Sequence, residues 1–519
     1  MNAAVAWLEL KAGRLRGPMT ATPGEGSLLG LDIGTSGARA IAIDLAGNVL
    51  VAATEEYPLA TPRPGWTEQE PEDWWAASQT VLRRVVSECG QPPLALGLTG
   101  QMHGAVFLDD RDRVIRPALL WNDQRTQKQC HHITDEVGQQ RLVEITGNPA
   151  LTGFQAPKIV WLRDEEPAAF SRLHRVLLPK DYVRLRLTGE HATDLSDASG
   201  TLLLDLRRRE WSQEILDALA IPRDWLPAVH EGPDVTGAVT ASAAKLTGLP
   251  AGLAVAAGGG DNAAAAVGNG VVRPGVVSSS VGTSGVVFAH SDEPRVDPLG
   301  RLHSFCHAVP GAYHVMGVTL AAGAALRWWR DVASPGSDFE AMAALAAEAP
   351  AGSGGLLFLP YLSGERTPVL DPSARGAFVG LNMTHTLAHL TRAVMEGVVH
   401  SLKQCLDLIT ALPLPVTEIR ATGGGARSAM WRQLQSDMFG MPVFRNTVDE
   451  GPAFGAALLA GVACRAYSSV SDATALVQLR ADVTRPDTDA AGLYQQQHEV
   501  YANLYESTAG AMHRLSALE

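Results

Sequence analysis

The sequence predicts an α/β protein built from two related domains that face each other across a cleft. Three observations predict it. The chain has 519 residues, too many for one ordinary domain of about 150. The tetrapeptide Gly-Thr-Ser-Gly occurs at 34–37 and again at 282–285, each time between short β-rich runs, which suggests an internal repeat. Strand-like and helix-like segments alternate in both halves, the pattern of layered α/β structure.

The elements follow in order. "SLLGLDIG" reads as an apolar strand ended by a turn, and "ARAIAIDLAGNVLVAATEEY" as two more strands around Ala46-Gly47-Asn48,. "PEDWWAASQTVLRRVVSEC" has Pro71 near its start, acids in its first turn and Gly90 after its end, the marks of a helix,. "LALGLTG" is a buried strand, and a hairpin-like segment and a helix near 123–137 follow. Residues 140–240 are less regular, with helices expected at "PKIVWLRDEEPAAF" and "SQEILDALA". The strand–turn–strand then recurs at 275–291. After it come a long helix at "LAHLTRAVMEGVVHSLKQCLDLIT", a strand at "EIRATGGG", a helix at "SAMWRQLQSDMFG", a short strand at "PVF" and a helix at "PAFGAALLAGVACRA". The boundary is expected at 257/258, within "LAVAAGGGDNAAAAVG". That gives an N-terminal domain over 27–257 and a C-terminal domain over 258–510. Residues 1–26 read as a flexible extension, with Met19 as an alternative start.

Composition narrows the function. Apolar residues make up 46% and charged residues 19%, as in a globular protein,. The net charge of −13 argues against a nucleic-acid binder,. It leaves room for one anionic cofactor held on backbone N–H groups. No run is apolar for long enough to span a membrane. Five cysteines without a CxxC spacing suit reduced thiols and a cytoplasmic location,.

Three glycine-rich turns follow strands: "DIGTSG", "VGTSG" and "ATGGGARS". Glycine lets backbone N–H groups approach phosphate oxygens without a Cβ clash. None is a Walker or dinucleotide fingerprint. Singly, each is no more than a tight turn; three together point to a nucleotide between the domains. Asp32 stands just before the first turn, where a carboxylate beside phosphate calls for a cation, here Mg²⁺ held through water; an Asx-type turn is the plainer reading. Asp261 follows Gly258-Gly259-Gly260 at an expected helix start. It reads as an N-cap, or as a base that takes a hydroxyl proton where the glycines let a backbone or a substrate come close. Gln101, Met102 and His103 form a strand-end tip whose His is donor and acceptor at once, as sugar hydroxyls require. In "LLWNDQR" the plain reading is a helix start capped by Asn122 or Asp123. "HSFCH" at 303–307 has no companion ligand cluster, so zinc is not expected there,.

These motifs resemble those of the FGGY carbohydrate kinases, within the actin/hexokinase/Hsp70-type ATPase superfamily. The two Gly-Thr-Ser-Gly hairpins, "GGGDNA" and "GGGAR" carry the likeness, with "GAFVGLNMTHTLAHLTRAVMEG" resembling the family's C-terminal signature. "GFQAPKIVWLRDEE" is similar to its N-terminal one, except that Gln155 stands where Ser, Thr or Pro is usual. The resemblance covers roughly residues 27–510. "GWTEQEPEDWW", "GQMHGAVFLDD", "ATDLSDASGT" and "FLPYLSGERTP" narrow it to bacterial members that act on D-xylulose.

The resemblance implies two actin-like ATPase (ribonuclease H-like) domains, the N-terminal one binding sugar and the C-terminal one nucleotide. It implies transfer of the ATP γ-phosphoryl group to O5 of D-xylulose. Asp261 would be the general base. Asp32 and Asp261 would lie at Mg²⁺, and Met102, His103, Asp261 and Asn262 would touch the sugar. Gly34, Thr35, Gly282 and Thr283 would line the phosphates, with Gly423, Gly424, Gly425 and Arg427 on the adenosine side. Trp328 or Trp329 would edge the adenine. Another ketopentose or polyol, such as L-ribulose or glycerol, is the alternative substrate, and a non-catalytic sugar sensor the alternative class. The resemblance is compatible with a homodimer.

Overall fold

The computed structural model describes residues 26–518; apart from Gly26, the extension expected over 1–26 lies outside them. Strand Ser27–Ile33 sits at the centre of the first sheet. Gly37–Asp44 runs antiparallel to it, and Val49–Glu56 antiparallel to that in turn. On its other side, Pro93–Gly100 and then Ala254–Ala256 run parallel. Val235–Ala238 closes that edge.

The second sheet repeats this order. Gly275–Val281 pairs antiparallel with Gly285–Ser291, which pairs antiparallel with Tyr313–Thr319. On the other side, Val416–Thr422 and then Val443–Arg445 run parallel. His303–Cys306 adds the outer edge. With the edge strands Val235–Ala238 and His303–Cys306 set aside, the remaining strands of both sheets, counted along the chain, read 3-2-1-4-5. The two Gly-Thr-Ser-Gly turns are the same 1–2 hairpin, built twice.

Helices repeat as well. Pro71–Cys89 lies between strands 3 and 4 of the first half and covers its hairpin. Leu387–Ala411 holds the same place in the second. Asp261–Gly268 follows strand 5 of the first sheet, and Gly451–Ala463 follows strand 5 of the second. These two matching helices pack on each other at the middle of the molecule. Small residues make the approach possible: a Cβ on Gly455 would stand 1.8 Å from Ala264 O, and one on Gly268 would stand 2.2 Å from Gly451 O. Helix Gly451–Ala463 is apolar almost all round because it is enclosed,. Its other side lies on the first sheet, where Gly30 and Gly97 admit the carbonyls of Ala453 and Ala456.

Three local expectations change. The helix expected near 123–137 begins only at Gln127. Asp123 caps nothing there. It is buried, pairs with Arg125 and accepts the Thr67 N–H at 2.7 Å. The segment 157–170 is two helices, Gln155–Glu165 and Pro167–Phe170, broken at Glu166 because Pro167 starts a new one,. Among the described residues, no helix is long and apolar enough to cross a membrane.

Candidate active site

Strand Pro93–Gly100 brings the chemistry together. Asp32 pairs with Thr99 on one side of it, and Gly259 pairs with the same Thr99 on the other. Met102 and His103 follow directly at its C-terminal end. Asp32, the Met102-His103 tip and Asp261 therefore meet at one sheet end, although up to 229 positions separate them in the chain (261 − 32).

The three glycines before Asp261 have separate jobs. Gly258 has φ 79°, and a Cβ there would stand 1.7 Å from Leu98 O, so only glycine fits,. Gly259 passes Ala308 and Ser196, and Gly260 passes the Met102 side chain. The clearance serves neighbouring protein, which seats the acid against Met102. Gly260, in extended conformation, is the helix cap, and Asp261 is the first helical residue. The N-cap expectation for Asp261 is thus off by one residue, because the chain is still paired with the sheet at Gly260.

Asp261 Oδ1 accepts from Asn262 N at 2.7 Å and from Asn262 Nδ2 at 2.9 Å. That fixes the carboxylate and leaves Oδ2 for another donor. Burial pushes its pKa up to about 6, against the two Asn262 hydrogen bonds. Asp32 is pushed up to about 7, by burial first and by the charge of Asp261 second, with Arg39 opposing. Asp32 Oδ1 has no hydrogen-bond partner. Two mutually repelling carboxylates with an orphaned oxygen form a donor set that suits a hard divalent cation.

His103 has φ 69°. Its Nδ1 lies 2.6 Å from Gly200 O. A carbonyl only accepts, so Nδ1 carries the proton. Burial keeps the ring neutral, with its pKa pulled down to about 3. Nε2 is then a hydrogen-bond acceptor. Lys158 Nζ clamps the tip from below, donating to His103 O at 2.8 Å and Gly153 O at 2.6 Å. Gln155 Nε2 donates to Gly104 O at 2.9 Å and Leu177 O at 3.1 Å. The unusual residue of the N-terminal signature therefore braces the loop that carries Met102 and His103.

The nucleotide-type turns divide between the two halves. A cleft of about 900 Å³ is lined by Gly282, Thr283, Gly424, Gly425 and Arg427, with Leu326 and Trp431 among its apolar walls. Gly423 stands just behind that wall, turning the chain with φ 72°. Gly34 and Thr35 lie on the opposing hairpin, outside this lining. The Thr35 hydroxyl is already engaged, accepting from Trp121 Nε1 at 3.0 Å. The tryptophans expected at the adenine do not line the cleft. Trp329 is buried with its Nε1 bonded to Thr391, and Trp328 stacks on Phe358. Their helix turns Leu326 and Arg327 to the cleft instead.

One buried group carries no recognisable motif in the sequence. Lys180 Nζ is fully buried, 2.9 Å from Asp181, 2.7 Å from Asp194 and 2.9 Å from Asp197. Burial alone would pull its pKa down; the three carboxylates hold it above the usual lysine range. Asp194 accepts the Ser196 hydroxyl, and Ser196 Oγ accepts from Gly260 N at 3.1 Å. The ionic cluster thus reaches the residue before Asp261. Charges inside the otherwise apolar stretch "VLLPKDYVRLRL" were the available signal.

Comparison with known proteins agrees with this geometry. The chain matches the FGGY family of carbohydrate kinases, N-terminal domain, over residues 27–268, and the C-terminal domain of the same family over 277–464. It is 43% identical to a xylulose kinase of Escherichia coli, across 92% of this chain and 98% of that protein. It is 42% identical to a xylulose kinase of Lactococcus lactis, across 94% and 98%. The solved xylulose kinase of Rhodospirillum rubrum superposes with a TM-score of 0.88 at 33% identity, across 94% of this chain and all of that one. With its repeated sheets, matching central helices and paired domain matches, the chain belongs to the FGGY family of carbohydrate kinases.

Proposed function

We propose that this kinase transfers the γ-phosphoryl group of ATP to O5 of D-xylulose, with Asp261 as the general base, inside the cytoplasm. The observation that carries the reading is the seat of Asp261. One oxygen is fixed by Asn262, the other is uncommitted, and Met102 lies against the turn just before it. A base with a pKa near 6 is ionised at neutral pH yet basic enough to accept a hydroxyl proton,. The substrate identity rests on relatives above 40% identity that are named xylulose kinase.

The residues divide the work. His103 Nε2 accepts from a sugar hydroxyl, Asn262 and Met102 shape the adjoining wall, and Asp261 Oδ2 takes the O5 proton as that oxygen attacks phosphorus. The second-half cleft, with Gly282, Thr283, Gly424, Gly425 and Arg427, takes the nucleotide. Gly34 and Thr35 face the phosphates from the first hairpin. Asp32 and Asp261 would hold Mg²⁺ through water, and the ion would neutralise charge on the transferring phosphates. Phosphoryl transfer of this kind depends on positioning and charge more than on covalent chemistry, and a site split between two domains excludes water on closure.

The test is coupled ADP release with D-xylulose, L-ribulose and glycerol. D-Xylulose should give the highest kcat/KM. ADP release that no sugar stimulates would end the kinase reading, and a preference for L-ribulose or glycerol would end the assignment to D-xylulose.

A further inference from the structure

We infer that Arg366, delivered from the second half of the chain, is a sugar-binding residue that grips the end of the ketose remote from the transferred phosphoryl group. The inference deepens the proposed function and rests on it.

Arg366 leaves a loop held down by its neighbour. Glu365 is buried, and its Oε1 accepts from Leu320 N at 2.7 Å and from Arg366 N at 2.8 Å. The guanidinium then extends to the first half, where a Cβ built on Gly153 would lie 3.7 Å from Arg366 Nη2 and 2.7 Å from Trp121 O. Gly153 is the residue that Lys158 clamps to His103. The Arg366 tip therefore stands at the wall formed by Trp121, Gly153 and His103.

The rest of the molecule does not account for it there. Within the described residues the guanidinium makes no hydrogen bond and no ion pair, although it is largely enclosed. Other enclosed arginines have partners for their forks: Arg125 meets Asp123 and Glu68, and Arg184 donates both Nη groups to Thr236 and the carbonyls of Ala256 and Ala257 and pairs with Asp181. A planar fork of donors left open beside an acceptor, His103 Nε2, matches the paired oxygens of a polyhydroxyl ketone. Its charge acts on His103 and His303, and the charged neighbour acting on it is Glu365. Arg366 thus belongs to the His103 end of the pocket, and the sugar must lie between it and the base.

The experiment uses full-length protein with Arg366→Gln and Arg366→Lys. It reads KM for D-xylulose and for ATP, D-xylulose binding by calorimetry without nucleotide, and Tm. Losing a charged hydrogen-bond donor should raise the sugar KM and Kd about 10- to 100-fold in Arg366→Gln. The ATP KM should stay within about twofold and Tm should hold. Arg366→Lys, a point charge without the fork, should fall between. Sugar Kd and KM unchanged in both variants would overturn the inference, as would an equal rise in both KM values. Wild-type protein that shows no sugar-dependent ADP release would instead overturn the proposed function.

Discussion

Adding one methyl group at Gly260 tests whether Met102 and the turn before Asp261 form the sugar wall together. The backbone tolerates it: Gly260 has φ −57° and ψ 152°, a region open to alanine,. Its N–H bond to Ser196 would survive. The new Cβ would stand 2.8 Å from Met102 Cγ and 3.0 Å from Sδ. Ordinary carbon contact begins near 3.5 Å, so Met102 must move by roughly 0.7 Å,. Overpacking a core costs about 1–3 kcal/mol. A flexible methionine places this case near the lower end, about 1 kcal/mol. If that movement disturbs the sugar wall, 1 kcal/mol corresponds to about a fivefold change. Gly260→Ala should therefore raise the D-xylulose KM about fivefold and leave the ATP KM unchanged. The assay is steady-state kinetics on a double-mutant cycle with Met102→Ala. Once the methionine is shortened, adding Gly260→Ala should cost nothing further. A sugar KM that does not move in Gly260→Ala refutes the reasoning, as does an undiminished penalty in the Met102→Ala background.

Two other outcomes follow from buried charge. Asp32 and Asp261 are both held above the ordinary carboxylate range. Between about pH 4 and about pH 6–7 the folded chain keeps protons that the unfolded chain has released, so their contribution to stability falls as pH rises through that window. Asp32→Asn should therefore stabilise at pH 8 by on the order of 1–2 kcal/mol, discounted for the site's open edge, and hardly at all at pH 4.5; thermal melts that show the same gain at both pH values contradict this. Lys180→Met would leave Asp194 and Asp197 without their buried cation and Asp181 with Arg184 alone, which typically costs about 3–5 kcal/mol; a denaturation midpoint equal to wild type would mean that the cluster does not hold the fold.

Much of the architecture was legible because it is local. Short apolar runs, glycine turns and capped helices announce themselves within about 20 residues, and the repeated hairpin exposed the duplication. The chemistry-bearing tips were legible for the same reason, since Asp32, Met102-His103 and Asp261 all end strands of one sheet. What the sequence concealed is convergence. Gly30 and Gly97 look like ordinary strand glycines until helix Gly451–Ala463 lies on them. Nothing near Lys180 says that its carboxylates continue through Ser196 to Gly260. Nothing in the turn announces that the Thr35 hydroxyl accepts from Trp121, 86 positions away. The Trp328-Trp329 pair misled because helix phase decides which side chain meets the cleft, and that phase points Leu326 and Arg327 inward.

The central claim is that one carboxylate, Asp261, accepts the proton of the attacking sugar hydroxyl. The most direct measurement is D-xylulose-dependent ADP release by Asp261→Asn beside wild type, with ATP and sugar affinities measured separately. General-base catalysis contributes about 10²–10⁴-fold. In Asp261→Asn, kcat should fall by at least about a hundredfold while both affinities stay within a few-fold. An Asp261→Asn enzyme that turns over D-xylulose at the wild-type rate would contradict it.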